Sequence, residues 1–142
     1  MTELCDFLLA RIAEDAATAR AAFHPVGEER VGGWYWSGAG DAVFVDRTSE
    51  PVACGPWQQL MHQPFAQHMV RWDPERVVAE CLARRGVVEG CAAALAPRSL
   101  RRRLLASTVH HDRGRRELAA QTLRLLALPY ADHPRYRQEW RA

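Results

Sequence analysis

The stretch Arg30-Val31-Gly32-Gly33-Trp34-Tyr35-Trp36-Ser37-Gly38-Ala39-Gly40-Asp41-Ala42-Val43-Phe44-Val45-Asp46 interrupts a mostly helical pattern and decides the fold class. Arg30 to Trp36 is aromatic and punctuated by glycine, Ser37 to Asp41 is a turn cluster, and Ala42 to Asp46 is a β-type run. Two such runs around a Gly-rich turn predict a hairpin. Pro51-Val52-Ala53-Cys54 adds a short third strand at an edge, where Pro is tolerated. Within a strand Trp34 and Trp36 share one face and Tyr35 takes the other. One face belongs to the core, and the second is an aromatic surface for a partner or for self-association.

Helices are predicted on both sides of this sheet. Upstream, Leu4, Leu8, Ile12 and Ala16 recur every four residues, with Cys5, Leu9 and Ala19 beside them, so residues 2–22 read as an amphipathic helix. Asp6, Arg11, Glu14 and Asp15 form its polar face, and His24-Pro25 stops it. Downstream, Pro64 opens a helix carrying Phe65, Met69 and Trp72 on one face. Asp73-Pro74-Glu75 restarts it with a capping Asp and an acid in the first turn, and Val77, Val78, Cys81 and Leu82 make the apolar stripe. Gly86 and Gly90 weaken its continuation toward Ala94. Pro97-Arg98-Ser99 begins a further helix, His110 to Gly114 reads as a turn, and a last helix through Leu126 ends at Pro129. The expectation is an α+β, mainly helical, single domain over residues 1–142, with an N-terminal helix, a hairpin or three-strand sheet, then C-terminal helices.

The 142 residues contain 19 basic side chains, all Arg, with neither Lys nor Asn. Codon bias in a GC-rich genome accounts for this, and escape from Lys-directed modification is the alternative. Charge is unevenly spread, with four Arg against nine acids in residues 1–57 and seven Arg against one acid in residues 98–116. An acidic partner or pairing within the fold would each explain the asymmetry. No run is apolar enough to cross a bilayer, and the acidic start Met1-Thr2-Glu3-Leu4-Cys5-Asp6 is unlike a signal peptide. A cytoplasmic protein without a membrane partner is expected. Cys5, Cys54, Cys81 and Cys91 include no Cys-x-x-Cys pair and are expected to be reduced.

The segment from His68 to Glu80 and the tail from Thr122 to Trp140, with Leu125-Leu126-Ala127-Leu128-Pro129-Tyr130-Ala131-Asp132-His133-Pro134, resemble a family of small actinobacterial proteins of unknown function. That family is marked by H-x-x-R-x-D-P-x-R-V-L-x-E and by L-R-L-L-A-L-P-Y-A-D-H-P-x-Y-x-x-E-W. The resemblance extends to the opening helix and leaves residues 24–60 and 86–116 aside. It also implies a metal site in many members, with a Cys just before the T-L-R run. Here Ala120 stands at that place and no Cys follows Cys91, so the family's metal set is incomplete.

Several constellations could carry chemistry. His110, His111 and, through the tail, His133 are the candidate metal ligands, although adjacent histidines in a turn point apart and the expectation is no metal and no cofactor. His62 and His68 could frame a pocket with Trp72. Cys54-Gly55-Pro56-Trp57 after a strand is superficially thioredoxin-like, but Trp57 occupies the resolving-cysteine place. Arg98, Arg101, Arg102 and Arg103, with Arg113, Arg115 and Arg116, form a basic patch that phosphate backbones would fit. There is no phosphate loop and no nucleophile–base pair. The reading favoured is a small accessory protein-interaction module without catalytic activity, acting through Trp34, Tyr35 and Trp36 on a protein partner or a second copy. The alternative is an Arg-mediated nucleic-acid binder, and a thiol or metal enzyme comes third.

Overall fold

A computed structural model describes residues 1–37, 40, 42–55, 60–97 and 109–141, with the backbone alone at Val109, His110 and His111. Among these residues the chain is α+β and mainly helical, as the patterning predicts. Helix α1 (Thr2–Ala21) buries Leu4, Leu8, Ile12, Ala16 and Ala19, the stripe that the four-residue spacing defines. Glu3 in its first turn and Arg20 in its last complement the helix dipole.

Pro25 does more than end this helix. It lies in β1 (His24–Val26), which pairs antiparallel with β2 (Glu29–Val31) as a two-stranded sheet that the sequence reading missed. Gly27, at φ +62°, supplies the left-handed residue this tight turn needs. The run Arg30 to Trp36 is therefore divided between two sheets, and the break is Gly32-Gly33. A side chain at Gly32 would sit on the Phe23 ring, its Cβ 2.6 Å from Cζ and 2.8 Å from Cδ1. The Gly33 carbonyl accepts from the Asp46 amide at 2.8 Å, which starts the second ladder.

That ladder is the predicted hairpin with its third strand, β3 (Trp34–Trp36), β4 (Ala42–Val45) and β5 (Pro51–Cys54), antiparallel in the order β3-β4-β5. Trp34 pairs with Val45 and Trp36 with Val43. In the other ladder Phe44 faces Pro51 and Val43 faces Ala53, so Val52 is the extra residue of a bulge. Val43 on the central strand is fully buried. Helix α2 (Gln63–Arg71) packs on β3 and β4, with Ala66 fully buried.

Helix α3 (Pro74–Leu95) begins as read, the Arg76 amide donating to the Asp73 carboxylate at 2.8 Å. It runs through Gly86 and Gly90 without a break. Helix α4 (Val109–Ala127) corrects the turn expected at His110 to Gly114, because that segment is its first turn and a half. Asp112 near its start suits the helix dipole, and Arg113 pairs with Glu117 one turn on at 2.8 Å. Short 3-10 turns at Leu128–Tyr130 and Gln138–Trp140 complete the chain. Residues group into two compact units, Met1–Ala13 with Leu82–Ala142, and Glu14–Cys81, and the boundaries fall inside α1 and α3. Among the described residues, no helix is long and apolar enough to cross a membrane.

Candidate functional site

The pleat sorts Trp34, Tyr35 and Trp36 by face. Trp34 and Trp36 lie on the side of Val43 and Val45, half-buried, and both indole N–H groups are buried without a hydrogen-bond partner among the described residues. Tyr35 points the other way and is 39 % exposed. Its ring stacks on Phe44, centroids 5.6 Å apart and planes inclined by 25°, and its hydroxyl donates to the Thr48 carbonyl at 3.2 Å. Phe44 in turn faces the exposed Pro51 across the second ladder. Tyr35, Phe44 and Pro51 thus form an uncharged row that crosses all three strands on the outward face. Strand alternation in the sequence separates Tyr35 from Trp34 and Trp36 but gives no sign of Pro51, because the bulge at Val52 sets its place.

A second constellation lies in the other unit, where the C-terminal tail folds onto the first two turns of α1. Phe7 is its hub, touching the rings of Trp140 at 5.0 Å, His133 at 5.5 Å, Tyr136 at 6.2 Å and Tyr130 at 6.3 Å. Arg11 is only 6 % exposed and bonds the His133 ring while its guanidinium lies over Phe7. The sequence reading placed Arg11 on the solvent face of the helix, and the tail overturns that. Arg137 grips Glu3 with a fork of 2.7 and 3.0 Å and lies over the Trp140 ring. A cleft of about 430 Å³ opens between α1 and the tail.

The remaining candidates are distributed as follows. His133 is held by Arg11, and the guanidinium beside it is a poor setting for a metal cation. His110 and His111 lie in the first turn of α4, with side chains outside the described residues. Arg98, Arg101, Arg102 and Arg103 also lie outside them. Arg113 is paired with Glu117, and Arg116 donates to the Leu95 carbonyl at 3.0 Å. His62 packs edge-on against Phe65, His68 is exposed, and Arg76 lies over the Trp72 ring at 4.6 Å.

All four cysteines are free thiols, Cys54 exposed and Cys81 buried. Removal from water pushes up the thiol pKa of Cys5 and of Cys91, and the Asp6 carboxylate adds to the effect at Cys5. Both therefore hold less thiolate at a given pH than an ordinary cysteine, and thiolate is the nucleophile. With an aromatic disulfide reagent near neutral pH, the fast phase should account for one thiol per chain, Cys54. Cys5 and Cys91 should respond only as pH climbs beyond the usual thiol range, or on unfolding. A fast phase of two or more thiols would contradict this.

Neither a search of curated proteins nor a search of solved structures returned a match. Both constellations, and the whole length from Met1 to Ala142, fall within one sequence family: the chain belongs to the family of unknown function DUF6221, whose profile matches residues 1–142.

Proposed function

We propose that this protein is a small accessory interaction module without catalytic activity, and that it docks through the row Tyr35, Phe44 and Pro51. The row carries the reading. It is continuous across three strands and uncharged, with Tyr35 and Pro51 exposed and Phe44 half-buried between them, and aromatic side chains of this kind form the centres of protein interfaces. His133 is held by Arg11 and His62 packs against Phe65, while burial raises the thiol pKa of Cys5 and of Cys91. The occupant is a second copy of the chain. A flat row of rings is self-complementary about a two-fold axis, ring can stack on ring, and two uncharged rows meet without repulsion.

Sedimentation velocity over a concentration series tests the reading. The wild type should pass from monomer to dimer, and Tyr35→Ser should weaken that association about tenfold or more, or roughly 1.4 kcal/mol. Folding stability should fall by about 1–3 kcal/mol, from loss of the ring pair with Phe44 and of the hydroxyl bond to Thr48. A wild type that stays monomeric throughout, or a Tyr35→Ser protein that dimerises like its parent, would overturn the proposal.

A further inference from the structure

The cleft between α1 and the tail is lined by both paired and unpaired charges. Its walls include the Glu3–Arg137 fork, in which each charge already satisfies the other. Two other charges line it without an ion-pair partner among the described residues, the Asp6 carboxylate and the Arg135 guanidinium, both on exposed residues. Phe7, Tyr136 and Trp140 also line the cleft, Tyr136 half-buried and the other two buried. The volume of about 430 Å³ falls in the range of small-molecule sites.

The charges narrow the ligand class. A simple anion would meet Glu3 and Asp6, and a simple cation would meet Arg135 and Arg137, so a ligand of one sign faces repulsion either way. An open aromatic cage for a quaternary ammonium is also excluded, because the Phe7, Tyr136 and Trp140 rings touch one another, with centroids 5.0 to 6.2 Å apart. We propose that the cleft binds a zwitterionic small molecule of the amino-acid class. Its ammonium pairs with Asp6, its carboxylate with Arg135, and its apolar side chain lies along the aromatic wall. This site lies in the other unit from the Tyr35 row, so it stands whether or not the chain dimerises.

The test is isothermal titration of the full chain with the twenty free amino acids, followed by N-acetyl-phenylalanine amide, which keeps the ring and removes both charges. At least one apolar or aromatic amino acid should bind at millimolar concentration or below, and the doubly blocked probe should not. Asp6→Asn and Arg135→Gln, surface changes that leave the circular dichroism intact, should each weaken binding about tenfold, the loss of one charge-assisted contact. Absence of binding to all twenty at 10-fold above about millimolar levels would overturn the proposal. So would undiminished binding by both variants, or equal binding of the blocked probe.

Discussion

Replacing Trp140 by alanine is expected to destabilise the protein by about 3–5 kcal/mol, the usual cost of deleting a buried large aromatic. Trp140 is 7 % exposed, so the tail is docked rather than free. Its ring meets Phe7 at 5.0 Å and Tyr136 at 5.9 Å, and Arg137 covers it while holding Glu3. Truncation therefore leaves a cavity beside Phe7 and removes the surface on which the Arg137 fork rests. For a chain of this length the melting temperature should fall by about 10 °C or more. Trp140→Phe keeps a ring in place and should cost markedly less. A Trp140→Ala protein that melts with its parent but loses association would instead make the tail a recognition surface.

Arg11 should matter almost as much. A guanidinium that is 6 % exposed must be hydrogen-bonded to be tolerated, and its bond to His133 ties the tail to α1. Arg11→Met keeps most of the volume and removes the donor to His133 Nε2, while the Arg135 amide still donates to Nδ1, at a cost of about 1.5–3 kcal/mol for one charge-assisted bond. Arg11→Ala also loses packing over the Phe7 ring, and the total should reach about 3 kcal/mol or more. Because Phe7 touches both Trp140 and Arg11, the losses in Arg11→Ala/Trp140→Ala should not add. Urea denaturation of the parent, the three single variants and the double variant measures this, and an Arg11→Met protein as stable as its parent would contradict it.

Local signals carried most of the fold. The stripe of α1, the Asp73 cap, the helix opening at Pro64 and the hairpin around Ser37 to Asp41 each depend on residues a few positions apart. Pro25 misled because a proline after a helix reads as a stop, whereas here it occupies a strand of a sheet with only two strands, both of them edges. His110 to Gly114 has the composition of a turn, yet Asp112 near the helix start and the Arg113–Glu117 pair support helix through Gly114. The candidate sites were less legible. Nothing near Arg11 in the chain marks it as buried, since its partner His133 is 122 residues away. Pleat alternation separates Tyr35 from its neighbours, but placing Pro51 beside Phe44 needs the register shift between Val43 and Phe44.

The claim that the Tyr35, Phe44 and Pro51 row is a docking surface is tested most directly by placing a photo-crosslinker there. With Tyr35 replaced by benzoylphenylalanine, illumination of the wild-type background should yield covalent dimers. The crosslinked peptides should map to β3, β4 and β5 of the second copy, residues 34–54. Dimers crosslinked elsewhere in the chain, or no dimer at concentrations where the protein associates, would contradict the account.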